Sequence, residues 1–180
     1  MNHKYDQLNN QVVNITDQYI DYWLEYCFLS PKWWLLVVLF IVAWFVFIKL
    51  VNREKLPKLL FLGLLWIIIS SNLDGYGYEL GLWGYPVQIS PFLAKAYLFD
   101  YAFVPVFYML LYHYFPKGRR FFFANVILAA GASFIAEPIF IWLDIYKIYN
   151  WKTVYSFFIY IFLSYVIRAI VEKVFRENDS

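Results

Sequence analysis

The chain has 180 residues, of which 63% are hydrophobic and 24% aromatic, with only 16% charged and a formal net charge of +2. Soluble domains run near half apolar and a quarter charged, so this is the composition of a membrane protein, and the length is that of one domain. The small charge, with basic residues set between apolar runs, argues against a nucleic-acid partner. The single cysteine, Cys27, leaves no internal disulfide, thiolate metal site or CxxC redox pair.

The opening stretch, MNHKYDQLNNQVVNITDQYI, lacks the basic flank and apolar core of a cleavable signal peptide. Its NIT at Asn14 fits a glycosylation sequon, which matters only in a secretory pathway. From 12 to 28, Val12, Tyr19, Ile20, Trp23, Leu24 and Cys27 recur at helical spacing, with Asp17, Asp21 and Glu25 on another face. That pattern predicts an amphipathic helix lying on the outer membrane surface or capping a bundle, its acids forming a solvated face. Residues 1–32 are accordingly assigned to an extracytoplasmic, interfacial segment and 33–180 to a transmembrane domain.

Five apolar runs come next, at 33–51, 59–74, 92–114, 121–143 and 153–171, each near the ~20 residues a bilayer core demands. Helix is the sensible reading, because open strands leave backbone groups unpaired in lipid and no run alternates as a barrel strand would. The expected fold class is therefore all-α: an integral membrane helical bundle of five transmembrane helices plus the N-terminal interfacial helix. Between the second and third runs, SSNLDGYGYELGLWGYPVQISP holds four glycines and two prolines, which favours an ordered turn structure over a continuing helix. Trp83, Tyr85, Tyr76 and Tyr78 would hold it at the interface as a lid, with Asp74 and Glu79 pointing in. The plainer alternative is a wet loop among headgroups.

Lysines and arginines set the expected orientation. Ten lie on one side, after the first, third and fifth runs, and five on the other, at Lys4, Lys32, Lys95, Lys147 and Lys152. The richer side is expected to be cytoplasmic, with the N-terminus outside and the C-terminus inside. Trp33, Trp34, Trp83, Trp142 and Trp151 then fall at the outer interface, as an aromatic belt requires.

Ionisable groups inside spans are costly and mark candidate sites. Asp74, Glu79, Asp100, Glu137 and Asp144 gather toward the outer side. Asp100 comes soon after the start of an inward-running span and Glu137 precedes the end of an outward-running one, so both lie roughly 10 Å below the boundary. Two ionised carboxylates there would repel, so the arrangement calls for a proton or a cation between them. Tyr97, Tyr101, Tyr155 and Ser156 fall at comparable depth as hydroxyl partners, giving an outward-facing polar pocket. The alternative is that both acids are hydrogen-bonded between helices and purely structural. Pro138 and Pro105 each remove a helical hydrogen bond beside one of these acids and predict kinks. The small run AAGAS, 129–133, predicts close helix packing.

HExxH, Gly-x-Ser-x-Gly and P-loop motifs are absent from the sequence. His3 and His113 fall at opposite ends of the topology, which argues against a histidine metal site or triad. No cofactor or metal is expected. The leading reading is a multi-pass membrane protein whose pocket takes a proton, a cation or a small amphiphile. The second is an assembly subunit that meets copies of itself or a membrane partner, with lipid as its surroundings. The third is a lipid- or isoprenoid-modifying enzyme working through carboxylates and aromatic faces.

The segments LDGYGYELGLWGYP, DYAFVP (100–105) and AEPIFIWLDIYKIYNWKTVYSFFIYIF resemble a family of small, uncharacterised multi-pass membrane proteins from spore-forming Gram-positive bacteria. The resemblance covers approximately residues 59 to 170 and is most specific at the Glu-Pro followed by IYNWKTVYS; the first 32 residues lie outside it. It implies a bacterial cytoplasmic membrane and a shared five-helix plan. It brings no catalytic residues with it.

Overall fold

The computed structural model describes residues 2–92 and 95–176. Residue 1 of the expected N-terminal segment, positions 93 and 94 of the expected third span, and the domain end at 177–180 lie outside the described residues. Six helices organise the rest. Helix α1 spans Asn2–Tyr22 and continues into a widened, π-helical turn at Trp23–Cys27. Helix α2 is Pro31–Leu50, and α3 is Arg53–Glu79, opening with a 3-10 turn at Arg53–Lys55. Helix α4 consists of a π-turn, Phe99–Phe103, running into Val104–Tyr114. Helix α5 spans Gly118–Trp142 with a π-turn at Ala132–Ala136, and α6 is Thr153–Arg176. Two short strands, β1 (Trp83–Gly84) and β2 (Lys147–Ile148), pair antiparallel between loops.

Among the described residues, four helices are long and apolar enough to cross a membrane: Pro31–Leu50, Arg53–Glu79, Gly118–Trp142 and Thr153–Phe175. That is the pattern of a multi-pass, all-α membrane protein. Helix α4 lies outside this set, because regular helix begins at 97 rather than 92 and its first turns carry Asp100 and tyrosines.

Two expected boundaries are corrected. Helix α1 begins at Asn2, ten residues before the amphipathic pattern starts. Helix α3 does not end near Asp74 in a glycine-rich turn; it continues through Gly75 and Gly77 to Glu79. Ser71 and Asn72 turn back onto the Ile67 and Ile68 carbonyls at 2.6 and 2.7 Å, keeping their polar groups within the helix. The chain then reverses at Gly81, whose φ of 66° suits a residue without a Cβ. It lays the Trp83 indole where a Cβ on Gly77 would be. Tertiary packing therefore overrides the poor helix propensity of glycine.

Local sequence accounts for the helix starts. Ser30 accepts from the Trp33 N–H at 3.2 Å and Pro31 occupies the first turn, where a missing N–H costs nothing. Helix α4 is the centre of the packing, touching α2, α3 and α5. Gly63 of α3 leaves room for Met109 of α4, and above that contact Trp66 stacks on Tyr108 with ring centroids 4.0 Å apart. Within AAGAS, Ala129 and Ser133 are buried, whereas Gly131 faces open space. Close packing is thus carried by two of the small residues. Helix α1 meets the bundle through its last turns: Tyr19 lies under the Lys95 ammonium, and Tyr22, Trp23 and Cys27 donate to the Pro86 and Gln88 carbonyls, while residues 3–18 are exposed.

At both prolines where a kink is expected, a π-turn precedes the ring. Ahead of Pro105, the Val104 N–H reaches back five residues to Phe99; ahead of Pro138, the Glu137 N–H reaches back five to Ala132. In a regular helix the Tyr101 carbonyl would accept from residue 105, which is proline and has no N–H. Trp44 of α2 supplies the missing donor, its indole N–H lying 2.9 Å from the Tyr101 oxygen. We predict that Trp44→Phe lowers stability by about 1 kcal/mol through this bond. In a Pro105→Ala chain, where the backbone at that position regains its N–H, the hydrogen-bond part of that cost should vanish. Thermal unfolding of the four chains in one detergent gives the coupling, and equal costs in both backgrounds would refute the assignment.

Candidate functional site

A cavity of about 300 Å³ lies at the loop end of the bundle, walled by α3, α4, α5 and α6. Helical spacing explains its walls. Trp66, Ser70, Asp74 and Gly77 form one stripe on α3, and Ser156, Ile159, Tyr160 and Leu163 form another on α6. Asp100 comes from the π-turn of α4, and Glu137 from the first residue after the π-turn of α5. Each widened turn adds a residue and rotates the helix beyond it, and both lie where an acid faces the cavity.

The three carboxylates differ in how they are held. Asp74 is held through one oxygen: its Oδ1 accepts from Trp83 Nε1 at 2.9 Å and from the Tyr85 hydroxyl. Asp100 is 4% exposed, and its Oδ2 has no hydrogen-bond partner among the described residues. The Glu137 Oε2 is likewise buried and unpartnered among them. Each acid has a hydroxyl within reach as a donor, Ser70 at Asp100 and Ser156 at Glu137, which leaves the other carboxylate oxygen without one. The Ser70 hydroxyl has no other partner among the described residues, whereas Ser156 accepts from Trp151 Nε1 at 3.0 Å. No lysine, arginine or histidine lines the cavity among the described residues. The lining is otherwise apolar and aromatic, with Trp66, Tyr85, Tyr146, Trp151 and Tyr160 prominent.

Two loops roof the cavity as a unit. Strand β1, after α3, pairs with β2, between α5 and α6, and the Tyr149 N–H donates to the Leu82 carbonyl at 2.9 Å. Trp83 meets Trp151 edge-on at 4.9 Å. Burial, reinforced by the Asp74 carboxylate, holds the Tyr85 phenol well above its ordinary pKa, so it remains a donor to Asp74. Burial and the Glu137 carboxylate raise Tyr146 in the same direction.

The structure brings together Asp74, Asp100, Glu137 and Ser156 of the residues singled out from sequence. It separates the others. Glu79 is exposed at the end of α3. Tyr97 and Tyr101 stack on each other at 5.1 Å, off the cavity. Tyr155 is 46% exposed and packs edge-on against Trp151. The reason is helical phase: Tyr155 matches Ser156 in depth but points about 100° away from it. Asp144 lies outside, its carboxylate 3.9 Å from Lys32. Lys95 donates to the Pro91 carbonyl at 2.7 Å and faces the Tyr19 and Tyr78 rings, not Asp100; burial lowers its pKa.

Sequence reasoning missed Trp66, Tyr146 and Tyr160. Extending the helical stripes through Asp74 and Ser156 finds Trp66 and Tyr160. Tyr146 reaches the cavity through a loop path that no periodicity announces.

Among the described residues, no group of three His, Cys, Asp or Glu side chains is gathered closely enough to hold a metal ion. What the arrangement can do is hold positive charge: two buried carboxylate oxygens with free lone pairs face a space enclosed by aromatic surfaces. No protein-family model, curated protein or solved structure matches the chain.

The Asp74 clasp gives a direct prediction. Asp74→Ala, or Gly77→Ala with its Cβ driven into the Trp83 indole, should release the roof at a cost of about 1–3 kcal/mol. Hydrogen exchange of the Tyr149 and Asn150 amides should then accelerate at least several-fold, while amides in the middle of α2 stay unchanged. Unaltered exchange at those two amides would show that the clasp does not hold the roof.

Proposed function

We propose that this is a five-span protein of a bacterial cell membrane, with its N-terminus outside and its C-terminus in the cytoplasm. Its roofed outer pocket binds a proton, a cation or a small amphiphile. The observation that carries the binding reading is the pair of buried, unpartnered oxygens on Asp100 and Glu137 in a cavity with no cationic side chain among the described residues. Acids kept for packing alone would spend their oxygens on neighbouring helices, because an unmet buried acceptor is costly.

Chain direction supports α4 as the fifth span. Asp74 near the end of α3 and Glu137 near the end of α5 line one cavity, so those helices run parallel and α4 must carry the chain back between them. The distribution of basic residues, ten against five, supports the orientation. The resemblance to multi-pass proteins of spore-forming bacteria supports the location.

Orientation and pocket are tested together with thiol labelling in a Cys27→Ser chain carrying either Asp100→Cys or Glu137→Cys. A polar, membrane-impermeant reagent should label these positions from outside the cell and not from the cytoplasmic face of inverted vesicles. A reporter fused after residue 180 should be cytoplasmic. Labelling from the cytoplasmic face alone, or an external reporter, would overturn the orientation.

A further inference from the structure

Resting on that reading of the pocket, we propose that its ligand is an organic ammonium ion: a positively charged nitrogen bearing alkyl groups, held between Asp100 and Glu137 and faced by aromatic rings. Charge is the first argument. Of three carboxylates in the lining, Asp74 gives one oxygen to the roof, whereas Asp100, 4% exposed, and Glu137 each keep a buried oxygen without a partner among the described residues. The site therefore offers two acids whose charge, once a ligand draws them into the ionised form, no side-chain cation among those residues would balance.

The wall is the second argument, and it separates ammonium ions from other cations. An inorganic cation that sheds its water needs a shell of oxygens, commonly six or more for the divalent ions. Among the described residues no three acids are gathered tightly enough for that, and most of the surface is indole, phenol and aliphatic carbon. A proton alone requires no enclosed space of about 300 Å³. An alkylated nitrogen spreads its charge over a weakly hydrated, apolar surface, and the faces of Trp and Tyr rings attract such a cation. The volume lies at the small end of ligand pockets, matching a compact headgroup rather than a large molecule.

The rim is the third argument. On α3 it is formed by Leu73 and, just past the helix end, Leu80, 44% and 72% exposed, and on α6 by Ile159, 36% exposed. These residues both line the cavity and are exposed, so its lip is largely apolar, with the exposed Tyr76 beside them. A nitrogen that carries a long chain can seat its charge on the acids and leave the chain along this lip. A short water-borne amine offers the same headgroup without the chain.

The test uses the full chain in dodecyl maltoside micelles, which contain no ammonium group, with quenching of tryptophan fluorescence or a thermal shift as the readout. Four probes are compared: dodecyltrimethylammonium with dodecanol, and choline with its uncharged carbon isostere, 3,3-dimethylbutan-1-ol. At least one charged probe should bind about tenfold or more tightly than its neutral counterpart. Preference confined to the long probe identifies the bilayer as the source, and equal preference for both identifies water. Asp100→Asn with Glu137→Gln should abolish the preference. If that double variant does not fold, Glu137→Gln alone should reduce it, and the comparison of charged with neutral probes in the unaltered chain stands regardless. Equal binding of charged and neutral probes would overturn the ammonium assignment and leave the pocket standing. Binding of none of the four would overturn both.

Discussion

A helix in hydrocarbon cannot leave a backbone carbonyl without a donor, and the arrangement of this protein turns on how the backbone adjusts around two prolines. Pro105 takes away the N–H that the Tyr101 carbonyl would use, and Trp44 restores it from the neighbouring helix. The same bond fastens α2 to α4, so one proline creates both a distortion and an interhelical contact. Around each proline the helix widens by one residue, at Phe99–Phe103 and at Ala132–Ala136. Asp100 and Glu137 stand in or directly after those turns. Backbone necessity and the placement of the two acids therefore share one local cause on each helix.

The roof solves a different problem with the third acid. Asp74 would be an expensive lone charge on α3, but it collects an indole and a phenol donor from the loop beyond the helix end. Gly77, one turn further on, gives the indole its seat. The result is a division of labour among three carboxylates lining one cavity: one holds the cover, and two each keep an unpartnered oxygen beneath it among the described residues. Composition alone would have grouped them as equivalents.

Much of this is legible in the sequence, and the failures have physical causes. Long apolar runs mark the four membrane-length helices because lipid leaves so few alternatives to helix. Level depth, counted at a fixed rise per residue, singles out Asp100 and Glu137, which both line the one cavity. Depth says nothing about azimuth, however, and it admits Tyr97, Tyr101 and Tyr155 without regard to the face each presents. The end of α3 is misread because Gly75 and Gly77 signal a break locally, whereas the Trp83 indole that occupies the space over Gly77 comes from beyond the turn. The donors to Asp74 are anticipated only as interface anchors, since the hydrogen bonds depend on how the chain reverses.

The sequence spacing of the clasp also bears on how the protein is made. Trp83 and Tyr85 lie 9 and 11 residues from Asp74, so that acid finds its partners as soon as a single segment and its adjoining loop have left the ribosome. Strand β2, by contrast, is supplied some sixty residues later, and so are Glu137 and the whole of α6. On the five-span reading proposed above, the first acid is shielded early by its own loop, while Asp100 would enter the bilayer before the cavity that later surrounds it exists. An insertion intermediate halted after α4 would then present Asp100 to lipid or to the insertion machinery, with only the first part of its eventual enclosure in place.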